Sequence, residues 1–175
     1  MREAAAKLTG QARYRRIVGI DPAARTGWAV VDAQGRRPMR AVQAGTLKGQ
    51  DAAAVQSLVR HLTQPHVRPD LVAIEDQYYG RNVATLKSLV ETRTRFLQEF
   101  QAAGIPAILV AANDWQMGLL KGMIGPRSMR KERKAAAKKY GQILFGEHAA
   151  ANQDEWDACL IAVYAIRAAL WGAPQ

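Results

Sequence analysis

The sequence has a single cysteine, Cys159, so no disulfide can form within the chain. It has no apolar run near the roughly 18–20 residues that span a bilayer. Its opening, MREAAAKLTGQARYRR, is polar and basic and lacks an apolar signal-peptide core. Neither a P-loop nor a G-x-G-x-x-G occurs, so ATP-driven and dinucleotide chemistry have no binding element. Three histidines, His61, His66 and His148, give no zinc pattern with the lone cysteine, and His148 reads as a loop residue. Acids are scarce as well: 15 Asp and Glu stand against 25 Lys and Arg, a net charge of +10 and a pI of about 10.2. That surplus favours a polyanionic partner, because each cation placed on a phosphate releases a counterion. The expectation is a soluble protein of the cytoplasm, bacterial or phage-infected, with no membrane partner.

What is present fits one domain. A length of 175 residues suits a single sizeable core. The 49% hydrophobic and 23% charged content is an ordinary globular balance. No repeat or long linker is visible. Residues 1–15 read as a basic N-terminal extension, and 16–172 as the folded domain.

Apolar patterning predicts strands at Arg16–Asp21, Thr26–Asp32 and Met39–Leu47, joined as an antiparallel meander. The third is the weakest in alternation. Val55, Leu58, Val59 and Leu62 share one face of a helix over Asp51–Leu62, which Pro65 and Pro69 end. Leu71–Glu75 and Ala107–Ala112 read as short buried strands. Helices are expected over Asn82–Ala103, Trp115–Leu120, Arg127–Tyr140 (stopped by Gly141) and Asp154–Leu170. Strands alternating with helices after a meander imply an α/β fold: a mixed five-stranded sheet, its first three strands antiparallel, flanked by helices. The two βαβ steps should be right-handed.

Four carboxylates stand out. Asp21 ends the strand R-I-V-G-I-D, and Glu75 ends L-V-A-I-E. Parallel neighbours would bring both to one sheet edge. Asp154 and Asp157 open the last helix, and a spacing of three puts them on one face; Glu155 is rotated by about 100° and faces elsewhere. An ordinary role competes at each position: a turn acid for Asp21, a strand-end acid for Glu75, an N-cap for Asp154. Together they form a hard-oxygen set suited to Mg²⁺ or Mn²⁺ around a shared metal position, and a cation would relieve their repulsion. Such a set in a basic protein suits phosphodiester hydrolysis, where two metals activate water and stabilise the leaving oxygen.

Three blocks of sequence carry a family likeness. The first is Ile17-Val18-Gly19-Ile20-Asp21-Pro22 followed by Thr26-Gly27-Trp28-Ala29-Val30. The second is Ala73-Ile74-Glu75, then Tyr78, Arg81 and Asn82. The third is Asp154-Glu155-Trp156-Asp157-Ala158-Cys159-Leu160-Ile161-Ala162. In this order and spacing the chain resembles the RuvC family of Holliday junction resolvases, within the ribonuclease H-like superfamily.

The resemblance implies a ribonuclease H-like fold, a homodimer, and symmetric paired nicks across a four-way DNA junction. It implies two Mg²⁺ ions per active site, with Mn²⁺ as a substitute. Asp21 would bridge them, while Glu75, Asp154 and Asp157 complete their shells. It puts Tyr78, with Tyr79 beside it, near the branch point, where an exposed ring could stack on an opened base; packing is the competing role. Arg81 and Asn82 suit backbone or base contacts. Leu86, Leu89, Val90, Phe96, Leu97 and Phe100 form a helix face that fits either the family's dimer contact or a core.

The basic segment holds Arg127, Arg130, Lys131, Arg133, Lys134, Lys138 and Lys139, with Glu132 against them. Phosphate contact is the expected role of Arg127 and Arg130. Lys121 and Lys131 match the family lysines near the scissile phosphate, and Lys131 is assigned the catalytic role; Lys134 is the next candidate. Three features depart from the common bacterial pattern: the extension, Trp156, and Asn113-Asp114-Trp115, which resembles phage or viral relatives. The alternatives are a ribonuclease H-like nuclease acting on RNA or other branched DNA, and a non-catalytic structure-specific nucleic-acid-binding protein.

Overall fold

The computed structural model describes residues 16–23, 25–34, 37–76 and 83–171. The basic extension, together with Tyr78, Tyr79, Arg81 and Asn82, lies outside them. Strand β1 (Arg16–Asp21) sits at the centre of a five-stranded sheet. It pairs antiparallel with β2 (Arg25–Gln34), which pairs antiparallel with β3 (Arg37–Lys48). On its other side it pairs parallel with β4 (Leu71–Asp76), which pairs parallel with β5 (Ala107–Ala111). The order is β3-β2-β1-β4-β5. The weak alternation of β3 follows from its place at the sheet edge, where Val42 is exposed.

Two helices cover one face: α1 (Ala52–Leu62) and α2 (Val83–Ala102). They close a core of Val18, Ile20, Val72 and Ile74 with Val55, Leu58, Leu62, Phe96 and Phe100. Asp51 caps α1, its Oδ1 accepting from Ala54 N at 2.8 Å. The other face carries α3 (Ala112–Leu119), α4 (Arg130–Phe145) and α5 (Gln153–Trp171). Here Ile17, Leu71 and Ala73 meet Trp115, Leu119, Ala136, Ala137, Leu160 and Ile161. Helix α5 is buried almost all round, as a helix sandwiched between sheet and helices must be. Among the described residues no helix is long and apolar enough to cross a membrane. The α2 face is partly core: Leu89, Phe96 and Phe100 are buried within the chain, while Leu86, Val90 and Leu97 are half-buried.

The basic helix departs from expectation at both ends. It starts at Arg130, after a turn in which Ser128 Oγ accepts from Gly125 N, so Arg127 lies before it. It runs through Gly141 and ends at Gly146, whose φ of 87° suits glycine. Gly141 has a different task. A Cβ there would lie 2.4 Å from Trp156 Cε3, so the missing side chain lets α4 lie against the Trp156 ring on α5. Gly141→Ala is expected to cost roughly 1–3 kcal/mol by overpacking, read as a lower urea midpoint with unchanged slope.

Candidate active site

Strand alternation assembles the site. In β1, Val18 and Ile20 face α1 and α2, so Ile17, Gly19 and Asp21 face α5. In β4, Val72 and Ile74 face α1 and α2, so Leu71, Ala73 and Glu75 face α5. The parallel register runs Gly19↔Ala73 and Ile20↔Ile74. Asp21 and Glu75 therefore leave adjacent strand ends on the same face.

Two glycines bring the helix acids to them. A Cβ on Gly19 would lie 2.0 Å from Ala158 O, and one on Gly27 would lie 2.0 Å from Asp154 O. Gly27 is the cross-strand partner of Asp21. Without side chains at these positions, the first turns of α5 rest directly on the sheet beside Asp21.

Asp154 does not cap α5. Asn152 does: its Oδ1 accepts from Asp154 N at 3.0 Å and Glu155 N at 3.2 Å. Asp154 instead pairs with Arg25, Nη2 to Oδ2 at 3.1 Å. Asp157 Oδ1 accepts from Gln153 Nε2 at 2.8 Å, and Glu75 Oε1 accepts from Trp115 Nε1 at 2.9 Å. Glu155 turns away and is buried, accepting from Thr46 Oγ1, Ala151 N and Asn152 Nδ2.

Asp21, Glu75, Asp154 and Asp157 line one cavity of about 820 Å³, with Trp115, Gln116, Arg130, Arg133 and Lys134 among its other walls. Lys131 is exposed and is not among the lining residues; Lys134, three residues on, is, and its charge acts on both Asp21 and Asp157. Lys121 and Arg127 are exposed away from this lining. Arg133 is braced, donating to Ser128 O, Pro126 O and Gln116 Oε1.

The electrostatics show what the acids lack. Burial raises Asp21 well above the usual carboxylate range, aided by the charge of Glu75, a hydrogen bond shared with it, and Asp154; Lys134 opposes. Asp157 is pushed up to about 7, by burial first and then by Asp21 and Asp154, against the Gln153 hydrogen bond and Lys134. Lys134 only partly offsets the mutual repulsion of Asp21 and Asp157 with their neighbours, and hard oxygen donors in that state fit a divalent cation. The acids share a cavity rather than a finished cage: among the described residues no three His, Cys, Asp or Glu stand close enough together to hold an ion. The expected convergence on a single metal position is met only to that extent.

A pH dependence follows. The Asp157 carboxyl has a folded pKa of about 7 against 3.8 unfolded. Its contribution to metal-free stability is present below 3.8 and is lost as pH rises through about 7. Asp157→Asn removes that dependence. The variant is expected to exceed the parent by at most on the order of 4 kcal/mol above neutrality, with the excess shrinking to nothing near pH 4, as measured by urea unfolding in chelator at several pH values.

The family model described as "Crossover junction endodeoxyribonuclease RuvC" matches residues 17–116, more than half of the chain. The chain belongs to the RuvC family. RuvC of Mesorhizobium japonicum is 33% identical over 128 residues, covering 66% of this chain and 64% of the relative. RuvC of Chlorobium phaeovibrioides is 31% identical over 97 residues, covering 51% of each. The chain thus spans about half to two thirds of the length of these curated relatives. The structure of T. thermophilus RuvC in complex with Holliday junction substrate superposes with a TM-score of 0.72 at 20% identity, over 90% of this chain and 98% of that one. This is a likeness of fold, and it makes the sheet and its helices a RuvC-type, ribonuclease H-like architecture. The family match contains Asp21, Glu75 and Trp115 but stops before Asp154 and Asp157, which this chain's own geometry brings in.

Proposed function

We propose that this RuvC-family chain is a metal-dependent, junction-resolving endonuclease that makes paired, symmetric nicks in four-way DNA junctions. The single observation carrying it is the cavity in which Asp21, Glu75, Asp154 and Asp157 face Arg130, Arg133 and Lys134 within a chain of net charge +10. Asp21, Glu75, Asp154 and Asp157 would hold two Mg²⁺ ions, with Mn²⁺ able to substitute. Bound there, such ions supply activation of the attacking water and stabilisation of the leaving oxygen.

The chain's own residues do the rest. Asp21 lies against Glu75, Asp154 and Asp157, the central position among the four acids. Lys134, which lines the cavity and whose charge acts on Asp21 and Asp157, takes the phosphate-facing role that the resemblance implies for Lys131. Arg130, exposed at the start of α4, meets the flanking backbone. Lys121, Lys131 and Arg127 provide outer phosphate contacts, weakened by salt. Tyr78, Tyr79, Arg81 and Asn82 follow Glu75 closely in the chain and are assigned to the branch point on the family resemblance. Two copies of the chain, related by a two-fold axis, would match the symmetry of the junction.

Three substrates separate this reading from its rivals: a four-way junction, a linear duplex of the same sequence, and a hairpin RNA, each with Mg²⁺ and with chelator. Preferential junction cutting in Mg²⁺ is the expected result. Equal cutting of duplex and junction would remove the junction reading, and tight junction binding without cutting would leave only a binding protein.

A further inference from the structure

Trp115 is one of the two largest fully buried side chains among the described residues. It belongs to the same buried core as Leu119, Leu120, Ala136, Ala137 and Leu160. Phenylalanine could fill much of that space. The indole adds an N–H, and a buried N–H needs an acceptor. Here the acceptor is an oxygen of the acidic cavity, Glu75 Oε1 at 2.9 Å. The geometry points to Trp115 as a positioning residue that fixes the Glu75 carboxylate for a divalent cation. This rests on reading Glu75 as one of the metal-holding acids.

The contact suits that task in three ways. The donor is rigid, since the ring is locked among core side chains and sits on a helix that follows β5 directly. It is also neutral. A charged donor placed on Glu75 would compete with a metal ion for its oxygen. An indole N–H orients the oxygen and leaves the negative charge in place. Finally, the next residue extends the brace. Gln116 Oε1 accepts from Arg133 Nη1 at 3.0 Å, and Lys134 follows Arg133 on α4. One turn of α3 thus sets Glu75 on one side of the cavity and the basic helix on the other.

The test uses the whole chain. In the metal-free protein, the four tryptophans give indole N–H signals in a ¹⁵N–¹H spectrum, and Trp115→Phe identifies the Trp115 signal. That signal is expected to be protected from exchange, and to move both in Glu75→Gln and on adding Mg²⁺. Mn²⁺ affinity, measured by calorimetry, is expected to fall about 10–100-fold in Trp115→Phe, the usual effect of losing an outer hydrogen bond to a metal ligand. Trp28→Phe, which loses the same ring on the opposite face of the sheet, controls for destabilisation and should keep its Mn²⁺ affinity.

An indole signal indifferent to Glu75→Gln, or unchanged Mn²⁺ affinity in a folded Trp115→Phe protein, overturns the inference. Either result leaves the nuclease reading intact, because that reading is tested through cleavage by the parent and Asp21→Asn. Absence of cleavage by the parent overturns the nuclease reading instead, and the indole signal and Mn²⁺ affinity still decide the role of Trp115.

Discussion

Asp21→Asn is expected to slow single-turnover junction cleavage by roughly 10³-fold or more, since removing even one preorganised electrostatic group commonly costs 10²–10³. Asn is nearly the same size, so the fold has no reason to change. What disappears is a carboxylate at the end of the central strand, against Glu75, Asp154 and Asp157. The same substitution should raise the stability of the metal-free protein at neutral pH. Asp21 is a half-buried acid among acids, and its charged form is disfavoured first by desolvation and then by the charge of Glu75. A neutral amide escapes both effects. Lost cleavage with gained metal-free stability is the signature of a site built for a cation. Lost cleavage with lost stability would point to a structural aspartate. Junction binding in chelator, read by gel shift, should weaken little if, as proposed, the phosphate contacts come from the basic residues rather than from Asp21.

Gly19→Val is expected to cost at least about 4 kcal/mol, the range of severe core lesions. Valine is a good strand residue, so local propensity does not explain the loss. The new Cβ would lie 2.0 Å from Ala158 O and 2.9 Å from Ala162 N. Both are backbone atoms of α5, a buried helix that cannot turn aside as a flexible side chain can. To relieve the contact, α5 must retreat from the sheet, taking Asp154 and Asp157 with it. Against a total stability of roughly 5–15 kcal/mol for a domain, the variant should be largely unfolded or should melt far below the parent. Gly125→Ala is the control: nothing lies within 4 Å of a Cβ there, and its φ is not positive. That change should stay within about 0.5 kcal/mol. A Gly19→Val protein as stable as the parent would mean that α5 does not rest on β1 as described.

How much of this was legible in the sequence depends on how local the cause is. Asp21 and Glu75 could be read because each ends a short apolar strand, and a period of two then fixes their common face once the strands are parallel neighbours. Asp154 and Asp157 share a face by helical spacing alone, but spacing does not decide whether Asp154 caps the helix. The answer was present at Asn152, whose spacing to Glu155 resembles a capping pattern. Gly141 misled because helix-stopping and close packing both select glycine, and only the approach of Trp156 distinguishes them. Positional matching alone favours Lys131 over Lys134. Which lysine faces the acids depends on how α4 is rotated against α5, a tertiary fact invisible in a run of cations. Trp115 stood out as unusual, yet nothing in the sequence marks Glu75, 40 residues earlier, as its partner.

Hydrolysis of DNA at a branch point by these four acids with a divalent metal is open to a direct assay. The most direct measurement is denaturing-gel mapping of a four-way junction, each strand end-labelled in turn, incubated with the full chain in Mg²⁺. Nicks are expected in two opposite strands, at equal distances from the branch point, that vanish in chelator and in Asp21→Asn. Nicks that survive Asp21→Asn, or a junction left intact by a folded, junction-binding protein in Mg²⁺ and in Mn²⁺, would contradict it.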